Sequence, residues 1–151
     1  MEICDALNAD TSMDELGALF TKEAQWQGKG DKYGATFGGH VGRAAIVAFL
    51  NSYREPTPHF AGNVHILGCE NLVVEGDRAT GTWVMFQTPT FQEGGAFLMA
   101  ARLNLTFKYE ESCWRMDRFA TTNLFSRPIE GGWNADAPIP APSVNAKGQN
   151  Q

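Results

Sequence analysis

The segment Thr57–Ile66, which reads TPHFAGNVHI, separates a helical part of the chain from a part made of strands. Residues 43–53 before it carry large apolar side chains at the i, i+3, i+4, i+7 spacing of a buried helical stripe, namely Ile46, Phe49, Leu50 and Tyr53. The prolines at 56 and 58 end this helix, because a residue before proline avoids helical geometry. Strand patterns follow from His59 onward. Helices followed by an antiparallel meander predict an α+β fold.

The sequence before residue 43 predicts two short helices and a glycine-rich loop. Residues 1–9 read as the end of a short helix. Ser12 and Glu15 then have the spacing of a capping box, which opens a second helix that ends near Lys22. The segment EAQWQGKGDKYGATFGGHVG (residues 23–42) predicts one short strand around Trp26 and an irregular loop after it.

The sequence after His59 predicts strands that are separated by short turns. One strand begins at 64–66, and the run 72–74 meets a strand over 79–88 through the turn Glu75-Gly76-Asp77-Arg78. Two longer strands follow at 96–109 and 113–125. We therefore expect one domain over residues 1–130. The remaining segment, 131–151, is rich in Pro, Ala and Asn and is expected to be disordered or to lie as a strap over the body.

Composition narrows the classes of partner. The net charge of −5 argues against nucleic acid and anionic membranes, which both favour basic surfaces. The three cysteines are widely spaced and are expected to be reduced. No secretory leader, long apolar run, phosphate loop, dinucleotide fingerprint or metal motif is present, so we expect a cytoplasmic protein without metal or cofactor. A small, neutral or weakly charged ligand is the remaining partner class.

Five segments in this order resemble the SnoaL-like branch of the nuclear-transport-factor-2-like superfamily. They are DELGALFTKEAQWQG, YGATFGGHVGRAAIVAFL, PHFAGNVHI, VVEGDRATGTW and YEESCWRMDRF, within residues 12–125. The resemblance implies a strongly curved antiparallel sheet that packs around the N-terminal helices as a cone, with a deep apolar pocket at its open end. Such cones include dehydratases, isomerases, cyclases, hydrolases and non-catalytic binding proteins, so the fold alone does not define the function.

Similarity to the scytalone dehydratase and hexachlorocyclohexane dehydrochlorinase type implies a histidine general base at His59. In that type a carboxylate of the first helix pairs with the histidine, and Asp10 and Asp5 are the two candidates. An imidazole titrates near neutral pH, and a carboxylate would fix its tautomer. The alternative is that His59 only caps the strand or binds a backbone carbonyl. Tyr33 is a candidate acid, or a packing residue of the loop.

The expected pocket wall consists of large side chains at inward strand positions. These are Trp26, Trp83, Met85, Met99, Leu103 and Phe119, although some of them are expected to be plain core residues. Polar candidates for orienting substrate oxygens are Gln87, Asn104, Arg118, Thr122 and Asn123. An inward Arg118 would need a carboxylate partner, and an outward Arg118 is the alternative. His65 is expected on the solvent side, because Val64 and Ile66 have the character of the core face.

These observations predict a cofactor-independent lyase or isomerase that acts on a small hydrophobic, aromatic or polycyclic compound. A non-catalytic small-molecule-binding protein, or a cyclase or hydrolase on the same cone, is the alternative. Apolar residues on the convex face of such a sheet favour a homodimer or homotrimer.

Overall fold

The computed structural model describes residues 2–5, 7, 8, 10–130 and 133. Four helices lie in the N-terminal third, with the bounds α1 Glu2–Asp5, α2 Met13–Ala18, α3 Gly30–Phe37 and α4 Arg43–Asn51. Eight strands are β1 Phe20–Lys29, β2 Gly39–Val41, β3 Phe60–Gly62, β4 His65–Glu75, β5 Arg78–Gln87, β6 Thr90–Phe91, β7 Ala96–Glu110 and β8 Cys113–Ile129. None of the helices in these ranges is long and apolar enough to span a membrane. The predicted tail over 131–151 lies outside the described residues except for Trp133.

The strands form one strongly curved sheet in the order β2-β1-β8-β7-β5-β4, with the short β3 and β6 paired beside it. The strands β4, β5, β7 and β8 make the predicted antiparallel meander. The described sheet departs from the antiparallel pattern in one place, where β1 pairs with β8 in parallel. A parallel partner needs a long crossover connection, and here most of the domain lies between the two strands. The α+β cone is confirmed.

The second helix begins as predicted and ends earlier. Ser12 caps it by accepting a hydrogen bond from the Glu15 amide at 3.2 Å. The helix ends at Ala18 rather than near Lys22, because the Leu19 carbonyl accepts a hydrogen bond from the amide of Met116 in β8 at 2.7 Å. Pairing with β8 continues at Phe20, so tertiary contacts override the local helical pattern here.

The segment predicted as a loop after Trp26 contains the helix α3. Its Tyr33 and Phe37 are one turn apart and meet edge to face with ring centroids 4.7 Å apart. Glycines at 28, 30, 34, 38 and 39 masked this single apolar pair in the sequence. Gly28 is needed where it is, because a Cβ atom there would lie 2.2 Å from the Tyr33 carbonyl oxygen. The close approach of α3 to β1 brings Tyr33 over the concave face of the sheet.

The structure confirms the buried stripe of α4 and the hairpin turn that the sequence predicted. Ile46 and Leu50 of α4 are buried against Leu16, Phe20 and Ala24, in a cluster between the helices and β1. A second cluster lies on the concave face of the sheet around Leu103 and Phe119. The turn at 75–78 joins β4 to β5 as expected, with Glu75 opposite Arg78. The helices cover only part of the concave face, and the cone remains open beside them.

Candidate active site

A cavity of about 320 Å³ occupies the open end of the cone, within the range of small-molecule sites. The helices α3 and α4 form one side, and the concave face of β1, β5, β7 and β8 forms the other. Aromatic and apolar residues make up most of its lining, and the full set is Cys4, Leu7, Trp26, Tyr33, Thr36, Phe37, Phe49, Leu50, Tyr53, His59, Phe60, Asn63, His65, Met85, Gln87, Pro89, Phe91, Met99, Phe119 and Thr121.

A histidine–carboxylate pair lies in the wall of this cavity, and its histidine is His65. The Nδ1 atom of His65 lies 2.5 Å from Oδ1 of Asp5, and the His65 backbone amide donates to the same oxygen at 2.9 Å. Two hydrogen bonds from one residue thus hold the carboxylate of α1 against the start of β4. The His65 side chain is only 10% exposed, and the carboxylate is 28% exposed.

The environment of His65 favours the neutral imidazole. Burial lowers the pKa of His65 below its ordinary value of 6.5, and the hydrogen bond and the charge of Asp5 oppose this effect without cancelling it. Because a carboxylate only accepts hydrogen bonds, the ring proton lies on Nδ1. The Nε2 atom therefore carries a lone pair. A neutral imidazole with a fixed tautomer at the wall of an apolar cavity is suited to accept a proton.

His59 lies at the rim of the same cavity. Its side chain is exposed and is surrounded edge-on by the rings of Tyr53, Phe60 and Phe91, with centroids 4.8–5.5 Å away. Within the described residues its ring makes no ion pair, so the predicted pairing of His59 with Asp10 or Asp5 is not formed. The backbone amide of His59 instead donates to the Tyr53 carbonyl at 2.7 Å.

The two carboxylates proposed from the sequence have different positions. Asp5 is the partner of His65, as described above. Asp10 is exposed in the turn after α1, and its amide donates to the Asn8 side chain at 2.9 Å. Of the two carboxylates, Asp5 is the one that pairs with a histidine, and that histidine is His65 rather than His59. A short α1, which ends at Asp5, explains why Asp10 cannot continue the same helical face.

A family model for the SnoaL-like domain matches residues 4–120, which is more than half of the chain. The protein belongs to the SnoaL-like family. None of the curated proteins matches the sequence significantly.

Solved structures with the same cone include a type 3 hexachlorocyclohexane dehydrochlorinase from Novosphingobium barchaimii LL02, with a TM-score of 0.64, 16% identity and coverage of 80% of this chain and 78% of that one. Another is designated a scytalone dehydratase of Novosphingobium aromaticivorans. It has a TM-score of 0.64 and 17% identity, and the match covers 76% of this chain and 72% of that one. A third is designated an aromatic ring hydroxylase, also of Novosphingobium aromaticivorans. It has a TM-score of 0.66 and 19% identity, and the match covers 78% of each chain. At these identities the likeness establishes the shared fold.

Several predicted wall residues of this SnoaL-like protein do line the cavity. Trp26 stacks on Phe119 with ring centroids 3.9 Å apart, and Met85 and Met99 lie on the adjoining strands. Tyr33 also lines the cavity and is nearly fully buried. Burial raises the pKa of Tyr33, which a hydrogen bond with the Asn123 side chain partly offsets, so its phenol is protonated at neutral pH.

Other predicted substrate contacts lie outside the cavity lining. Leu103 is a core residue, and Trp83 packs edge to face on Phe107. Arg118 alternates with Phe119 along β8, so it faces the opposite side of the sheet and donates to Gln27 Oε1 at 2.9 Å. Asn123 reaches the site only through Tyr33, and its amide also donates to the Phe125 carbonyl at 3.1 Å.

The inward and outward faces of residues 63–66 are the reverse of those predicted from the sequence. His65 was expected in solvent and Ile66 in the core, whereas Ile66 is 57% exposed and Asn63 is only 8% exposed. The apolar residues of this stretch lie outside, and its polar residues line the cavity. Alternation was the correct signal, but only the tertiary structure shows which face is enclosed. Gln87, which lies directly opposite His65 on β5, also lines the cavity.

Proposed function

We propose that this SnoaL-like protein is a lyase that eliminates a small group from a hydrophobic ring compound, with His65 as general base and Asp5 as its positioning partner. The single observation that carries the proposal is the His65–Asp5 pair in the wall of a largely apolar cavity. Structural neighbours that are named as a dehydrochlorinase and a dehydratase support elimination as the reaction class.

The proposed reaction begins when Nε2 of His65 takes a proton from a ring carbon of the substrate. The electrons of the broken C–H bond form a C=C bond, and the leaving group departs from the adjacent carbon with its bonding electrons. Asp5 stabilises the imidazolium that forms and keeps Nδ1 protonated throughout. The imidazolium then returns its proton to water.

A hydroxyl leaving group needs a proton, whereas a chloride does not. The phenol of Tyr33 is protonated, lines the cavity and is the proposed donor to a departing hydroxyl. Loss of water would then consume one proton from Tyr33 and deliver one to His65, so the reaction is balanced overall once the two residues exchange protons with water.

The resemblance of the sequence to known dehydratases implied His59 as the base, and this assignment stays a prediction. His59 is exposed at the rim and lacks a carboxylate partner among the described residues, whereas His65 has both burial and a partner. We infer that His59 acts at the entrance, by contact with a bound ring. The two assignments differ in a measurable way.

The test compares three glutamine variants, His65→Gln, His59→Gln and, as a matched control outside the cavity lining, His40→Gln. The probes are chloride release from hexachlorocyclohexane and loss of water from scytalone. We expect His65→Gln to lower kcat by about 10²- to 10⁴-fold and His40→Gln to leave it unchanged. Full activity of His65→Gln together with loss of activity in His59→Gln would show that His59, and not His65, is the general base. Binding of both probes without turnover by the wild type would instead favour a non-catalytic binding protein.

A further inference from the structure

A second depression lies on the outer face of the sheet, away from the cavity of the cone. It is a groove of about 450 Å³ that crosses the strands β1, β8, β7, β5 and β4. Side chains alternate between the two faces along a strand, so Asn104 points outward because its neighbours Leu103 and Leu105 are buried on the concave side. The thickness of the sheet therefore separates this groove from the proposed catalytic residues.

A row of amide and hydroxyl side chains lines the groove. Strand pairing places its members directly opposite one another, in the order Asn71, Thr82 and Asn104. The row continues to Ala120 on β8, whose small side chain leaves room for a ligand beside the longer residues. Asn71 and Asn104 are exposed and Thr82 is half-buried, so the row is accessible from solvent.

Two cations lie beside the β8 end of this row. Arg118 and Thr122 flank Ala120 along β8, and Lys29 on β1 is opposite Thr122. Both Arg118 and Lys29 line the groove, and both are exposed. Neither forms an ion pair within the described part of the chain. The guanidinium of Arg118 donates to the neutral side-chain oxygen of Gln27 at 2.9 Å.

The charge in the groove is opposite in sign to that of the whole protein. The chain has 17 acidic and 12 basic side chains and a net charge of −5. None of the described residues that line the groove is acidic, so the charges of Arg118 and Lys29 are not compensated there. Two such cations repel each other, and an anion that binds between them reverses this effect. The groove therefore favours a small anion.

The chemistry of the groove defines the rest of the ligand. A phosphate monoester carries close to two negative charges at neutral pH, which matches the two cations, and a planar guanidinium can donate two parallel hydrogen bonds to it. Amides and hydroxyls both donate and accept, as the hydroxyls of a sugar do. The strand of Arg118 and the strand of Thr82 are two steps of about 4.8 Å apart, which a sugar ring attached to the phosphate can span.

We propose that this groove is a second binding site, which takes a phosphorylated sugar. The phosphate binds to Arg118 and Lys29, and the ring lies over Ala120 and donates to and accepts from Asn104 and Thr82. The site is independent of the proposed elimination, because it shares no lining residue with the cavity of the cone.

Equilibrium binding to the full chain, measured by calorimetry at constant ionic strength, tests the proposal. The probes are glucose 6-phosphate, inorganic phosphate and glucose, which separate the contribution of the phosphate from that of the ring. We expect glucose 6-phosphate to bind most tightly. Inorganic phosphate should bind about fivefold more weakly, since it lacks the hydrogen bonds of the ring, and glucose should not bind measurably.

Three variants at exposed positions assign the contacts. Arg118→Gln should weaken both phosphate probes by about tenfold or more, because hydrogen bonds to charged groups are the stronger ones. Arg127→Gln is the matched control, since it makes the same change of charge on β8 outside the groove, and it should leave the affinities within about twofold. Asn104→Ala should weaken glucose 6-phosphate about fivefold and leave inorganic phosphate unchanged.

NMR spectra locate the bound ligand. Glucose 6-phosphate should shift the side-chain amide signals of Asn71 and Asn104 and leave the ring signal of His65 in place. Absence of binding, equal weakening by Arg118→Gln and Arg127→Gln, or shifts at His65 without shifts at the two asparagines would each overturn the proposal. Equal affinities for glucose 6-phosphate and inorganic phosphate would overturn the assignment of a sugar.

Discussion

His65 lies between two opposing influences, and the balance decides whether it can act as a base. Burial removes the water that would hydrate a protonated imidazole, so it disfavours the protonated form. The adjacent Asp5 carboxylate stabilises that form. In this protein burial dominates, and the pKa of His65 is lowered. The carboxylate then mainly fixes the tautomer. A pair in which the carboxylate dominated would hold a protonated ring that could not accept a proton at neutral pH.

The first prediction concerns this balance directly. We expect the NMR signal of the His65 ring to titrate with a midpoint below 6.5, and Asp5→Asn to move the midpoint still lower, because it removes the influences that raise the pKa. The glutamine variants of His40, His59 and His65 assign the three ring signals. A rise of the midpoint in Asp5→Asn would show that the pair is not formed in solution.

The second prediction links the same residue to stability. Because the pKa of His65 is lower in the folded state, the unfolded chain binds more protons between the folded pKa and about 6.5. The stabilising contribution is therefore complete above 6.5 and is lost as the pH falls below it. The wild type should lose about 1.4 kcal/mol more than His65→Gln for each pH unit across this window.

Urea unfolding of the wild type and His65→Gln at pH 8 and pH 5 measures this difference. Both proteins share the carboxylates that titrate at lower pH, so the subtraction isolates the histidine. An equal loss in both proteins over this window would contradict the lowered pKa.

At the scale of elements, the sequence predicted well where one periodicity continues over several turns or a whole strand. The stripe of α4, the turn at 75–78 and the long strands β7 and β8 all follow this pattern. Prediction failed where a contact distant in the sequence decides the structure. The end of α2 depends on pairing with β8, and α3 depends on packing of one aromatic pair against the sheet.

The candidate site could be predicted as a chemical type and not as a set of positions. Sequence reasoning identified a histidine, a carboxylate from the first helix and an aromatic and methionine wall, and it named Asp5 and Tyr33. The resemblance implied His59 as the partner of the carboxylate, and His65 was placed on the solvent side because the apolar character of Val64 and Ile66 was taken to mark the inward face. That character is inverted there, because Val64 and Ile66 lie on the outside of the cone.

The contact between β1 and α3 gives a third prediction. Gly28→Ala should destabilise the protein by about 2 kcal/mol or more, because the new Cβ atom would lie 2.2 Å from the Tyr33 carbonyl oxygen and must displace α3. The same displacement should lower the turnover of scytalone, since Tyr33 and Phe37 line the cavity.

Gly34→Ala is the control in the same helix. A Cβ atom at position 34 has its nearest neighbour 3.9 Å away, which is an ordinary contact, and alanine favours the helix by about 0.5–1 kcal/mol. We expect Gly34→Ala to unfold at a higher temperature than the wild type. Equal melting temperatures of the two variants would show that the close approach at Gly28 does not hold in solution.

At the scale of the whole molecule, apolar side chains cover part of the outer face of the cone. Ile66 on β4 is directly opposite Phe86 on β5, and Phe86 meets Phe125 on β8 with ring centroids 6.3 Å apart. These three side chains are 57%, 41% and 44% exposed. The strand β4 is also the end strand of the sheet order, so its outer edge is unpaired within the described sheet. Such faces are typical of contacts between subunits.

The last prediction is that this patch of Ile66, Phe86 and Phe125 holds copies of the chain together. Contact with a second copy would explain why residues 63–66 have polar side chains inside and apolar ones outside. Asn63 and His65 face the cavity, and Ile66 would face the second copy. Ile66→Lys should reduce the mass measured by sedimentation equilibrium to that of the 16.5 kDa monomer. Leu19→Lys, which alters an apolar residue of similar exposure away from the patch, should leave the mass unchanged. A wild-type protein that remains monomeric at the highest concentration measured would contradict the assignment.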